Sequence, residues 1–469
     1  MVITCGKIGI KRVGCTKMSS LRTERIECLL AGLVMFISAC QSERGSGDQV
    51  RGFQSCIIFP FQGEHVHGST IVDLPNGDLL AAWFQGSGER WADDVRIMGS
   101  RLQKGDTAWA QPFLMADVRG FPDINPVLFL DQEERLWLMW YPVIANQWET
   151  SIPMYRISSN YDTDGAPEWD WQEVLLVKPG DKTERGIQPG DRFVEAVARQ
   201  LESYEAYMRE SLLPSMPDSL QVYMYEAWEK YKTKLDSLSK GKNMIRSGRI
   251  KEGEREISAD LGYPLTRRIG WQTKNKAIFS QERMIVPLYS DGLDCTLFAL
   301  TDDGGKNWIF SDPVLGGAGI QATLAIKKDG TLAAYLRDNG PPPQRMQKTE
   351  SLDNGLTWSI PKDDTLPNPG AGFDMVTLDN GEWLIAFNDQ EDGRFNLTVA
   401  ISEDDGKSWK WKKRVEHDGR MENPTSSHYP SVIQGRNGQI HVIYSFHRRD
   451  IPDGKTIKYA TFPSEWVKR

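Results

Sequence analysis

The sequence predicts an all-β protein, a six-bladed β-propeller with a helical insertion between blades 2 and 3. Three observations carry this. A short pattern recurs: Thr301–Trp308 reads TDDGGKNW, Ser351–Trp358 reads SLDNGLTW and Ser402–Trp409 reads SEDDGKSW. Its spacing of about 50 residues lies in the range of solenoid and propeller repeats. Asp in such a pattern bonds nearby backbone amides, and Gly accepts the left-handed backbone of a tight turn. Trp is large enough to pin that turn against the next unit. Apolar runs separated by turn residues also fall into six sets, and 42 Gly, 25 Pro and 16 Trp suit a chain of many strands and turns.

With 39% hydrophobic and 26% charged residues, the 469-residue chain has a soluble globular composition. Its net charge of −8 and lack of a long basic run argue against a nucleic-acid partner. Residues 18–40 have the order of an export signal: Arg22 and Arg25, an apolar run from Cys28 to Phe36, then Ile37-Ser38-Ala39-Cys40. The run is too short for a comfortable membrane span. The Ile-Ser-Ala-Cys segment resembles a bacterial lipobox. That resemblance implies an exported protein lipidated at Cys40, with 41–51 as tether and the lipid as its one membrane contact. Past Cys40 only Cys56 and Cys295 remain. They make no disulfide framework and read as two buried thiols. No spacing resembles a zinc site, and no cofactor is implied.

The propeller is expected over 52–469. Residues 57–60 (IIFP) read as a strand that completes the last blade and closes the ring. Ser69–Leu74 and Leu79–Phe84 flank an Asn76-Gly77 hairpin turn, and Val95–Leu102 follows. The second set is Asn125–Leu130, Leu136–Tyr141, Met154–Ser158 and Trp171–Val177. Residues 192–262 break this rhythm. Phe193, Val197, Leu201, Tyr204 and Met208 recur at helical spacing over Arg192–Ser211. Asp218 can cap a second helix bearing Leu220, Tyr223, Tyr231 and Leu235. The segment reads as a solvated helical hairpin packed on the rim. The remaining sets are 276–310, 320–360, 373–412 and 429–467.

The repeated S-x-D-x-G-x-T-W pattern resembles the Asp box of the sialidase (neuraminidase) superfamily, over most of 52–467 apart from the helical segment. The resemblance implies a propeller with an axial active site: three arginines for a substrate carboxylate, a Tyr–Glu nucleophile pair and an acid/base Asp. Tyr429-Pro430-Ser431-Val432 resembles the nucleophile strand, Arg394 the third arginine and Arg337 the second. His67-Gly68-Ser69 stands where the first arginine motif falls, and Gln321 where the activating glutamate falls. The acid/base loop holds Glu89, Asp93 and Asp94, of which Glu89 fits best. Asn125 sits where sialidases often carry an aspartate, and Asp374 opens a strand; both are candidates for sugar hydroxyls.

Two arginines on one axis suit a carboxylate, and His67 adds a donor, charged if protonated. A tyrosine nucleophile fits a carbon that bears a carboxylate, since a carboxylate nucleophile would be repelled. Gln321 cannot accept the phenol proton, so either nearby cationic groups lower the tyrosine's pKa or His67 or His428 acts as base. The expected activity is sialidase-like hydrolysis of a terminal acidic sugar from a glycan. The alternatives are a lyase or another glycosidase acting on a uronate polysaccharide, with His67 or Tyr429 as base for elimination, and surface glycan binding without turnover.

Overall fold

In this computed structural model, residues 52–180, 191–240, 267–420 and 422–469 are described. The expected export signal, Cys40, the tether and residues 241–262 of the helical segment lie outside them. Six antiparallel sheets form a six-bladed propeller. The innermost strands of blades 1, 2, 4, 5 and 6 are His65–Asp73, Asp123–Leu130, Ile320–Ile326, Asp374–Thr377 and Ser426–Gln434. In blade 3 the innermost position is shared by Gln272–Thr273 and Ile278–Ser280, both paired with Arg283–Ser290.

The closing strand forms at Gln54–Ile57, three residues before the expected 57–60, and pairs with Lys455–Phe462. The last blade is thus built from both parts of the chain, with the N-terminal strand as its outermost member, which closes the ring. Alternating faces decide the packing. Six apolar clusters form, each from two adjacent blades, and the blade 1–6 cluster (Val66, Ile71, Trp83, Ile443, Tyr459) completes the ring.

The three Asp boxes repeat one set of bonds. Ser351 donates to Asp353 at 2.9 Å, the Gly355 amide donates back to Ser351 at 2.9 Å, and the Thr357 amide and hydroxyl both donate to Asp353. Thr301/Asp303 and Ser402/Asp404 do the same. The tryptophans pack on the preceding blade, not the next. Trp358 stacks on Phe298 of blade 3 at 4.1 Å, and Trp409 meets Tyr335 of blade 4 at 5.9 Å. The glycine is obligatory by space as well as conformation: a Cβ on Gly305, at φ +89°, would fall 2.5 Å from Trp137. Each box follows the third strand of its blade, at the end remote from where the first strands begin.

Helices α1 (Arg192–Tyr207) and α2 (Asp218–Ser239) lie between the last strand of blade 2 and the first of blade 3. Asp191 caps α1 through the Val194 amide, and Arg267 pairs with that same carboxylate. Phe193, Val197, Leu201 and Tyr204 are buried as the spacing predicted. On α2, Leu235 is buried and Tyr231 packs on the core as expected, but Tyr223 is exposed and Met224, Trp228 and Leu238 complete the buried face. Trp228 is the largest apolar side chain on α2, and packing it against Tyr204 at 4.9 Å sets that face. Asp218 is the first helical residue, not the cap.

Candidate active site

The first strands of four blades share one irregularity near their starts. Register breaks between His67 and Thr70, Ile124 and Val127, Ile320 and Thr323, and His428 and Ser431. At each break one residue is left-handed: Gly68 (φ +63°), Asn125 (+47°), Gln321 (+54°) and Tyr429 (+47°). Such a bulge re-aims a side chain that the pleat would otherwise turn into a sheet face. Three of the four are not glycine, and for a ring as large as tyrosine this backbone is costly.

Three of these residues join one hydrogen-bonded network. Tyr429 Oη accepts from Arg337 Nη1 at 2.9 Å and from Gln321 Nε2 at 3.2 Å. Arg337 Nη1 also donates to Gln321 Oε1 at 3.2 Å. A guanidinium can only donate, so the amide orientation of Gln321 is fixed, with its nitrogen toward the phenols. That nitrogen also meets Tyr289 Oη at 3.1 Å, and Tyr289 approaches Tyr141 at 3.4 Å. Asn125 Nδ2 donates to both Tyr141 and Tyr289. Burial pushes the Tyr141 and Tyr289 hydroxyls up, so both stay neutral. Asn125 Oδ1 is buried without a partner.

Arg394 lies over the Tyr429 ring, its guanidinium carbon 5.7 Å from the centroid. It is held by the Gly370 carbonyl at 2.9 Å and by His428 Nδ1 at 2.9 Å. His428 Nδ1 is therefore the acceptor, and Nε2 carries the proton toward Ser426 Oγ at 2.8 Å. With its lone pair occupied, His428 is not a base for Tyr429. Both arginines are half-buried, and neither has a carboxylate within ion-pair distance among the described residues. His67 stacks on Tyr429 at 4.3 Å and bonds Ser445 at 3.1 Å.

Four of the chain's six histidines gather here, His65 and His67 of blade 1 with His428 and His447 of blade 6. Burial, then the charges of His428, His65 and His447 and of Arg394, hold His67 well below the usual imidazole range. His67 is consequently neutral near pH 7 and supplies no positive charge, contrary to the expectation that it extends the cationic clamp. Burial and the charges of His447 and Arg394 likewise lower His428, and burial brings His447 to about 4.

The carboxylates differ from expectation. Glu89 contacts His65 Nε2 at 3.0 Å. Burial pushes its carboxyl up, but the His65 hydrogen bond and charge, with Arg90 and Arg394, outweigh this and hold it below its ordinary value. That direction does not favour Glu89 as a proton donor near neutrality. Asp94 is exposed and accepts the Ser87 amide and hydroxyl, the turn chemistry usual for Asp; it does not join the network. Asp93 is exposed and accepts from Asn146. Asp374 is buried and spent on Thr323 Oγ1, its own strand's Met375 amide, Ser431 Oγ, the Val432 amide and Lys276. It stitches four blades together and is not free for a sugar.

Sequence reasoning missed several neighbours. Asp291, just past the second strand of blade 3, is pushed up to about 6 by burial, partly offset by the Arg337 charge. Its amide donates to Gln272, which itself meets Tyr141. Lys274 is buried, with Nζ 5.2 Å from the Tyr429 ring centroid. A partial signal exists for the bulges: Asn125 and Tyr429 each precede a proline near a strand start, where a missing amide suits a broken ladder. Among the described residues no cluster suits a metal ion.

The fold and site together define a class: a six-bladed propeller whose tight turns repeat the Asp box, with two arginines around a tyrosine at the start of a first strand. The chain belongs to the BNR repeat-like domain family, whose model matches residues 77–183 and 268–442, and it is a BNR-repeat protein of the sialidase superfamily. An anhydrosialidase of Macrobdella decora is 37% identical over 79 residues, 16% of this chain. That match spans 10% of the relative's own length. A leech intramolecular trans-sialidase, solved with 2,7-anhydro-Neu5Ac, superposes with a TM-score of 0.55 at 13% identity, over 87% of this chain and 70% of that one. The intramolecular trans-sialidase of Ruminococcus gnavus gives 0.54 at 15% identity, over 88% and 98%. A Dyadobacter fermentans protein of unknown function gives 0.57 at 12%, over 88% and 100%. Likeness at these identities speaks for the fold alone.

Proposed function

We propose that this protein is a glycoside hydrolase that removes a terminal sugar bearing a carboxylate at the reacting carbon, with sialic acid as the first candidate. The observation that carries this reading is the pair of half-buried guanidiniums, Arg337 and Arg394, converging on Tyr429 without an acidic partner among the described residues. Unpaired cations in a partly desolvated site are costly unless an anion completes them. Tyr429, its phenol proton released to solvent, attacks the anomeric carbon through Oη as the glycosidic C–O bond breaks, and water later cleaves the tyrosyl–sugar bond and returns a proton to Oη, giving net retention. Arg337 and Gln321 both donate to that oxygen, so the negative charge of a phenolate is met by hydrogen bonds. Among the carboxyls near the network, Asp291 holds a proton at mildly acidic pH and is our choice of acid toward the leaving oxygen.

A panel of sialosides and uronate-capped oligosaccharides tests this. We expect release of the acidic sugar, and a loss of about a thousandfold or more in kcat for Tyr429→Phe with glycan binding retained. Binding by the wild-type protein with no turnover on any member would replace the enzyme by a surface lectin. One observation favours a second reading: His67 is neutral and stacked on Tyr429, as a base for elimination on a uronate would be. An unsaturated, ultraviolet-absorbing product in place of a reducing sugar would decide for it.

A further inference from the structure

Where four blades leave two residues of the innermost strand unpaired at the bulge, blade 3 leaves four. Its inner strand stops at Thr273 and resumes at Ile278, and residues 274–277 leave the ladder. The detour carries Lys274, Asn275 and Lys276, each tied to a different part of the site. Lys276 pairs with Asp374 of blade 5 and donates to Ser431 of blade 6 at 3.1 Å. Asn275 Nδ2 donates to the carbonyls of Gln321 and Ala322 of blade 4, at 3.0 Å each. Its Oδ1 accepts from Lys274 Nζ at 3.2 Å. Asn275 is locked by two backbone carbonyls, so the ammonium it holds is placed, not free to swing out to water.

Lys274 is 95% buried and has no carboxylate within ion-pair distance among the described residues. The charged groups that act on it are Asp374 of blade 5, Lys276 of its own detour and Arg337 of blade 4, and the Tyr429 ring of blade 6 lies 5.2 Å away. Burial lowers it to about 8, Asp374 opposing and the two cations adding to the shift. A lone buried cation costs stability, and a methionine of similar length would fill the space without that cost. Its location under the candidate nucleophile gives the charge a use.

We propose that Lys274 is a positioning residue for Tyr429, whose buried ammonium, with Arg337 and Arg394, stabilises the negative charge on Tyr429 Oη during attack. The proposal rests on the reading of Tyr429 as nucleophile. It also accounts for a site in which Gln321 stands where a carboxylate base is expected: charge around the ring replaces a proton acceptor on the oxygen.

The test needs no substrate. Tyrosinate absorbance is followed against pH in the wild type, Tyr429→Phe, Lys274→Met and Lys274→Arg, with urea unfolding of each at pH 7. Because Lys274 is charged only below about 8, the absorbance step lost in Tyr429→Phe should fall below that pH in the wild type, move up by about one pH unit or more in Lys274→Met and return toward the wild type in Lys274→Arg. Lys274→Met should also unfold at higher urea than the wild type, the opposite of what loss of a structural contact gives. A step unmoved in Lys274→Met, no step lost in Tyr429→Phe, or a less stable Lys274→Met would each overturn the proposal. Turnover separates the two readings. If Tyr429→Phe is inactive and the step is unmoved, Lys274 alone is misassigned; if the step moves and Tyr429→Phe keeps full turnover, the nucleophile assignment falls instead.

Discussion

At φ +47°, Tyr429 sits in a conformation that its side chain disfavours by roughly 1–3 kcal/mol. That strain places a phenol among Arg337, Arg394, His67 and Lys274 instead of in a blade interface. The same scale settles the question of the proton. Glu89 is ionised beside His65, whereas Asp291, at about 6, is mostly protonated below that pH and mostly not above it. Hydrolysis of glycans with poor leaving groups should therefore fall as pH rises through about 6, because the acid form is then lost. Aryl glycosides, whose leaving groups need no proton, should lack this limb, and Asp291→Asn should remove it from the natural substrate while Glu89→Gln leaves it in place. A limb that follows Glu89→Gln instead would return the acid role to Glu89. Arg337, Arg394 and Tyr429 were legible in the sequence because each keeps a fixed offset from a turn or strand. Lys274 and Asp291 were not, since a buried lone lysine and a half-buried aspartate have no linear signature, and their importance arises from what the ring brings beside them.

Among the elements, the Asp boxes carry architecture and no chemistry. They sit at the end of the blades remote from Tyr429, and each tryptophan fills a gap in the preceding blade. Trp358→Ala should cost about 3–5 kcal/mol, as removal of a buried indole does. It should lower the urea midpoint and leave KM and kcat unchanged; a change in KM would mean that the two ends of a blade are coupled. The boxes and the alternating strands were the legible part of the fold, because turn chemistry and pleat period are local. The closing strand was misplaced by three residues because IIFP is the more apolar run, yet Gln54–Ile57 is what pairs with Lys455–Phe462. Tyr223 on α2 was misread for a related reason. Tyr223 and Trp228 both suit an apolar stripe, and only contact with Tyr204 selects the face that holds Trp228.

For the whole molecule, the ring closes at one seam, between blades 1 and 6. It is held by the Gln54–Ile57 strand, by the apolar cluster around Trp83 and Tyr459, and at the site end by His65, His67, His428 and His447. Imidazoles whose folded values lie below their unfolded ones bind fewer protons in the native state. Between the two values the unfolded chain takes up protons that the folded one refuses, so stability falls as pH falls through that window. For His447, at about 4 against an ordinary 6.5, the loss amounts to about 3 kcal/mol over that range. His67 and His428 are shifted in the same direction, by burial first and then by neighbouring imidazoles and Arg394, so the losses reinforce at a single seam. Urea unfolding between pH 7 and pH 4 should show a steeper decline in the wild type than in a His428→Gln/His447→Gln variant, whose seam has two fewer protons to admit. Hydrogen exchange at pH 4.5 should open first in the strands His65–Asp73 and Ser426–Gln434, not in blades 3 and 4. Equal pH slopes in the two proteins, or exchange that spreads evenly around the ring, would mean that the imidazoles are bystanders and that the apolar cluster alone keeps the propeller shut.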